Sequence, residues 1–282
     1  MEGQNKNEST VLKWVLIIIA AVFLFIMVIM PLGMVVAGSF AKGLKYYIAS
    51  ITDKYTLKAL LLTLRATIAS VICTSVFGLI AAWAVTRYSF PGKKIIKSII
   101  DIPVTISPVI CGMIFLLLFG RQGFIYPILN KIGIDVIFAV PGIIIVTVFV
   151  TLPMVFREIV PVLEARGTEE EEAAAMMGAS GWTIFTRITF PSIKWPFIYG
   201  MILSASRAMG EFGAVSVISG HLRGLTNTLP LHVEMLFNEF NTTEAFAVSS
   251  VLVILSIALL ILRLVLQYIS KKKIQKIQEV TD

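Results

Sequence analysis

The sequence predicts an all-α fold, a polytopic transmembrane helical bundle of about six spans, and three observations lead there. Hydrophobic residues fill 57% of 282 positions and charged residues only 15%, where a soluble domain carries roughly 25% charged residues. The excess is gathered into runs long enough for the ~20 apolar residues of a membrane-spanning helix. Lys and Arg lie mostly between those runs, as they do in the loops of membrane proteins. The formal charge of +7 is therefore read as loop charge, with the lipid bilayer and not nucleic acid as the partner.

The first run covers 11–40, with Lys13 at its start and Pro31 and Gly33 near its end. It exceeds the ~7–15-residue core of a cleaved signal and reads as a retained signal anchor. The second, 57–85, stops at the polar stretch 86–94. The third, 95–119, contains Pro103 and Pro108 and is expected to be a single kinked span. The fourth, fifth and sixth cover 136–156, 195–218 and 246–268, and Lys271, Lys272, Lys273 and Lys276 follow the last. Residues 1–282 are read as a single transmembrane domain.

Six spans place both termini on one side. The loops that hold Lys6, Lys13, Arg87, Lys93, Lys94, Lys97, Arg157, Arg166, Arg187, Lys194 and the lysine-rich tail are richer in Lys and Arg than their counterparts. Those counterparts hold Lys42, Lys45, Lys54, Lys58, Arg121, Lys131 and Arg223. The richer side, with both termini, is expected to be cytoplasmic. On the other side, the apolar positions of 229–237 recur at helical spacing and suit a helix lying along the outer interface. Cys73 and Cys111 fall inside apolar runs, where a thiol acts as a small hydrophobe. Neither they nor His221 and His232 make a disulfide or metal pattern.

The loop 157–194 is much longer than the usual ~4–6-residue connection. Thr168 followed by Glu171 suits a capping box, and the acidic run from Glu169 to Glu172 suits the positive end of a helix dipole. Gly178 suits a left-handed stop. Ser180 can cap a second short helix from Gly181 to about Thr189, with Pro191 as its end. Met176, Met177, Trp182, Ile184 and Phe185 would then sit on a small helical knob, as on a docking surface for a partner protein or a face resting on lipid.

Within this loop, Glu172-Ala173-Ala174-x3-Gly178-x9-Ile188-x-Phe190-Pro191 resembles the signature of ABC importer permeases, with Phe190 in place of the usual Leu. The resemblance implies a type I importer permease fold. It also implies a coupling role for Glu172, Ala173, Ala174, Gly178, Ile188 and Pro191, as the joint that docks on a nucleotide-binding subunit. Residues 163–170, 178–182 and RAMGEFGAVSVISG at 207–220 look like sulfate/thiosulfate permeases of the CysW type. Molybdate and tungstate permeases share the Gly-Glu-Phe-Gly-Ala core. This likeness implies a second permease of the CysT type, two ATPase subunits, an external sulfate/thiosulfate-binding protein, and residence in the inner or plasma membrane of a prokaryote. No Gly-x4-Gly-Lys-Ser/Thr phosphate loop occurs in the sequence. The chain is thus read as a transport subunit and not an enzyme, with no cofactor of its own and with ATP and Mg on the partner ATPase.

Arg207 lies about twelve residues into the fifth run, near the bilayer midplane at ~1.5 Å per residue. An Arg there costs roughly 2.5–3.5 kcal/mol, so it needs a partner or a water-filled cavity. Glu211 follows four residues later, within pairing reach. Gly200, Ser204, Arg207 and Glu211 form one small-and-polar stripe that should face protein or water. Two readings stay open: a stripe lining the translocation path, or a structural ion pair locking helices together. Arg65 and Asp101 receive no role. For the whole chain, the leading reading is a sulfate/thiosulfate permease working by alternating access. Molybdate or tungstate import and an ion-coupled secondary anion transporter are the alternatives.

Overall fold

Proline and glycine cut the apolar runs into a chain of helices. In the computed structural model, residues 2–281 are described, with the side chains of 10 and 12–269. The lysine-rich tail at 271–276 and Lys6 are outside the described side chains. The helices are α1 Glu2–Leu24, α2 Met30–Ser39, α3 Leu44–Thr52, α4 Lys54–Arg87, α5 Lys93–Thr105, α6 Pro108–Phe119 and α7 Tyr126–Ile132. They continue as α8 Val140–Arg166, α9 Glu169–Met176, α10 Gly181–Ile184, α11 Phe190–Met209, α12 Gly213–Ile218, α13 Leu229–Asn238 and α14 Thr242–Thr281. No strand occurs among the described residues.

Four stretches are long and apolar enough to cross a membrane: Leu12–Ser39, Lys54–Arg87, Val140–Arg166 and Thr242–Ile269. A fifth is reached if α5 and α6 count as one span, so the tally is four to five where the sequence suggested about six. The third run is a broken pair and not one kinked span, because α5 and α6 meet at 109°. Pro108 disfavours the helical region for the residue before it, and Ser107 sits at ψ 133° with Ile106 extended as well. The fifth run is also broken, between Met209 and Gly213. The fourth runs further than expected, through Pro153 and Pro161 to Arg166, so 157–166 is helix and not loop.

Two π-turns, Phe25–Ile29 and Phe185–Thr189, each end two residues before a proline, Pro31 and Pro191. A proline inside a helix removes one hydrogen bond and presses on the carbonyl four residues back. A wider turn at that spot gives the ring room. Pro191 consequently does not end the helix. It sits in the first turn of α11, and the helical run from Gly181 continues to Met209.

By contacts the chain forms two compact units, Met1–Asp53 with Val233–Val251, and Lys54–His232 with Leu252–Asp282. In the first, the Ser39 hydroxyl donates to Val35 O at 2.6 Å and Phe246 O at 2.9 Å. Tyr47 and Ser250 share a 3.1 Å hydroxyl bond, and the Tyr46 hydroxyl donates to Asn241 Oδ1 at 3.2 Å.

The second unit is built on α4, α8 and α11. Glycines bring their backbones together: a Cβ at Gly200 would lie 2.7 Å from Val155 Cα, and one at Gly78 would lie 3.0 Å from Val155 Cβ. Buried hydroxyls then link the rods, Ser70 to Thr151 at 2.8 Å and Thr74 to Ser204 at 3.0 Å. Small residues and hydroxyl bonds are the usual means of joining helices in lipid, where apolar burial gives no preference for a neighbour over an acyl chain. Leu231 is buried with Leu62, Ile143, Val146 and Ile218, and Leu229 and His232 are buried too. The start of α13 is therefore packed inside protein and does not lie on the outer interface.

Candidate functional site

The knob after α8 is shaped by local chemistry. Gly167 turns the chain at φ +68° and Gly178 at φ +85°, a region that L side chains avoid and glycine enters freely. No atom lies within 4 Å of where a Cβ on Gly178 would sit, so its backbone angle demands the glycine, not crowding. The Ser180 hydroxyl oxygen accepts from Thr183 N at 3.3 Å and caps α10 as anticipated. Ala174 is buried beneath the corner, while Met176 is 90%, Met177 82% and Trp182 75% exposed.

The expected capping box does not form. Thr168 makes no side-chain cap and donates its hydroxyl to Glu172 Oε1 at 2.6 Å. Glu171 is engaged elsewhere: its carboxylate accepts from Arg87 Nη2 at 2.9 Å and from the Thr189 hydroxyl at 2.7 Å, and its second oxygen lies 2.8 Å from Arg87 Nε as an ion-pair contact. Arg87 also donates to Leu163 O at 3.2 Å. This two-pronged pair is mostly out of water, with side-chain exposures of 9% and 16%. Removing one partner of such a pair strands the other charge, at ~3–5 kcal/mol. The Arg87–Glu171 pair thus joins α9 to the ends of α4 and α8 and to the start of the α11 run. Arg87 and Glu171 escaped the sequence reading, which took one as loop charge and the other as a cap, since they lie 84 positions apart. Two further pairs join α5 to α8, Arg157 with Asp101 at 2.7 Å and Lys97 with Glu164.

Of the residues assigned to coupling, Glu172 and Ala173 are exposed on α9, Ala174 is buried, and Gly178 forms the corner. Ile188 and Pro191 stand behind the knob, where with Arg166, Glu170, Arg187 and Ser192 they line a cavity of about 320 Å³. Trp182 and Phe185 join Leu79, Ile80 and Trp83 around an apolar groove of about 510 Å³.

The second group of residues surrounds two helix breaks that pack on each other. A Cβ on Gly213, at the start of α12, would stand 3.2 Å from Pro108 Cβ, and one on Gly112 would stand 2.6 Å from Ala214 O. The α5–α6 break and the α11–α12 break therefore touch. Non-helical backbone at membrane depth is tolerated where protein or a water-filled cavity surrounds it. Arg207 lies in the last turn of α11, and Glu211 lies past its end, so the two are not neighbours on a continuing helix face as expected. They still pair, Arg207 Nη1 to Glu211 Oε2 at 2.5 Å, with side-chain exposures of 35% and 1%. The other Glu211 oxygen accepts from Ala214 N at 2.9 Å and so ties the two half-helices. Gly200 and Ser204 face protein, against Val155 and Thr74.

Membrane-length helices, a clamped knob with an apolar crown, and two broken helices meeting at their breaks mark a polytopic membrane protein. The family of binding-protein-dependent transport system inner membrane components matches residues 74–276. The sulfate transport system permease protein CysW of Synechococcus elongatus is 42% identical over 262 residues, 93% of this chain and 92% of that protein. The CysT permease of the Escherichia coli sulfate transport system is 33% identical over 238 residues, 84% of this chain and 86% of that one. Among solved structures, a bacterial alginate ABC transporter in complex with an alginate pentasaccharide-bound periplasmic protein superposes with a TM-score of 0.77. It has 15% identity and covers 96% of this chain and 98% of that one, and it shares the fold. The chain belongs to the family of binding-protein-dependent inner-membrane permeases.

Proposed function

We propose that this chain is one permease subunit of an ATP-driven sulfate importer. The observation that carries the proposal is the knob, clamped to three long helices by the Arg87–Glu171 pair and crowned by Met176, Met177 and Trp182. Side chains that apolar at the tip of a structured loop suit a cleft on a partner protein. A rigid clamp would pass that partner's motion into α4, α8 and α11. Glu172, Ala173, Ala174 and Gly178 shape the docking surface, with Ile188 and Pro191 behind it.

The partner is an ABC ATPase that binds ATP and Mg, two copies serving this chain and a CysT-like second permease. An external binding protein delivers the anion. Likeness to sulfate permeases supports sulfate over molybdate or tungstate, with thiosulfate as a close substitute in charge and shape. The knob end and both termini face the cytoplasm, with the α5–α6 pair and the α11–α12 run each taken as a further crossing, in keeping with the lysine and arginine asymmetry. In the membrane, the paired breaks border the path: Arg207 offers the anion partial positive charge and Glu211 keeps it in place, while Gly200 and Ser204 hold α11 against its neighbours.

Cysteine crosslinking on the assembled transporter tests this. In a Cys73→Ser, Cys111→Ser background, Met177→Cys should crosslink to the ATPase subunit, and sulfate uptake should stop on ATP depletion. Uptake that survives ATP depletion, or a crosslink to the ATPase that never forms, would remove the reading.

A further inference from the structure

One cationic residue in the bundle has no role in the site above. Arg65 sits in α4, is exposed, and makes no ion pair or hydrogen bond among the described residues. Its neighbours Leu62 and Ala66 are buried in the cluster that holds Cys111, Ala214 and Val215. Its Cα therefore stands at the level of the paired helix breaks. On the helix surface it is surrounded by exposed Leu61, Ile68 and Ile72. An arginine at such depth is disfavoured on a lipid face and marks a bundle interior or a water-filled cavity.

Arg65 is not isolated in charge. Lys54, Lys58 and Arg65 are spaced four and seven residues apart, on one face of α4. At ~1.5 Å per residue, they extend ~16 Å inward from the start of that helix. No acidic residue occurs anywhere in α4. Arg223 stacks over the Tyr55 ring at 5.6 Å, and Gly224 lies beside the Lys58 stem, where a Cβ on the glycine would stand 3.3 Å from Lys58 Cδ. The opposite end of α4 carries Arg87, which holds the knob, so this cationic face begins on the side of the membrane away from the ATPase. Helical side chains lean toward the helix N-terminus, which aims these cations outward.

We propose that Lys58 and Arg65, with Arg223 at the mouth, line the outer half of the sulfate path, with Arg65 the innermost cation before the paired breaks. The inference deepens the importer reading and rests on it. Two positive side chains on one face attract a dianion more strongly than a monoanion, and their spacing lets the anion pass from one to the next.

The assembled transporter in proteoliposomes, with its binding protein, provides the test. Arg65→Ala should lower labelled-sulfate uptake about tenfold at equal abundance while binding-protein-stimulated ATP hydrolysis stays within about twofold, and Arg65→Lys should keep most of the uptake. Unchanged uptake in Arg65→Ala, or hydrolysis falling in step with uptake, overturns the proposal. Should Arg65→Ala fail to accumulate, Arg65→Cys in the Cys73→Ser, Cys111→Ser background supplies the answer. A membrane-impermeant sulfonate-bearing thiol reagent added outside should label it, and sulfate should slow the labelling. No labelling, or labelling indifferent to sulfate, overturns the proposal. A wild-type complex that imports no sulfate removes the importer reading itself, before any variant is compared.

Discussion

The knob and the membrane-embedded helix interfaces of the second unit are held by opposite chemistries. At the knob, a two-pronged Arg87–Glu171 pair with Thr189 as a third contact gathers four helical segments. Between α4, α8 and α11, cohesion comes from glycines that admit a neighbouring backbone and from single hydroxyl bonds. The knob projects beyond the spans, and its joint is a charged pair shielded from water, with side-chain exposures of 9% and 16%, so directional contacts keep its angle fixed. Inside the bilayer a charge is expensive and apolar surface alone gives no specificity, so close approach and small polar groups decide which rods pair. In the proposed importer, the difference would separate a part that transmits force from a part that slides or tilts without coming apart.

Three substitutions would break or sharpen that contrast. The largest effect belongs to the knob: Arg87→Ala leaves Glu171 buried without its partner and should destabilise by ~3–5 kcal/mol. Thermal melting of the purified complex should drop, and ATP hydrolysis should continue without sulfate uptake. A variant that melts and transports like wild type would mean that the clamp is not the joint. Next comes Gly200→Ala, whose methyl meets Val155 Cα at 2.7 Å. Overpacking of this kind costs about 1–3 kcal/mol, and it should lower the melting temperature while the uptake per folded complex is largely kept. The smallest is Thr74→Val, which removes the bond to Ser204. Interhelical hydrogen bonds in membranes average ~0.6 kcal/mol, so the melting shift should be barely resolved. A large shift there would make hydroxyl bonds, not glycine contacts, the main cohesion of the bundle.

Legibility followed the distance between interacting residues. Gly178 as a turn and Ser180 as a cap were readable because their causes lie within three residues. Thr168 misled for the same reason: a box was locally possible, yet Arg87 on another helix claimed Glu171 first. The two prolines of the third run announced a disturbance, but the 109° angle depends on α12 packing into the break through Gly213 and Gly112. The stripe at Gly200, Ser204, Arg207 and Glu211 was visible as a pattern. Its partners Val155 and Thr74 were not, and Glu211 turned out to cap the next half-helix.

By itself, the amino-acid order determined the all-helical class, the apolar runs, the glycine turn at Gly178 and the Ser180 cap, since these follow from periodicity, backbone angles and side-chain polarity within a few residues. Only the tertiary structure decided which carboxylate holds the knob, that two runs break and meet at their breaks, and that Arg65 stands at the level of those breaks. Those outcomes depend on which helices become neighbours, and that choice is made by fits between surfaces many residues apart.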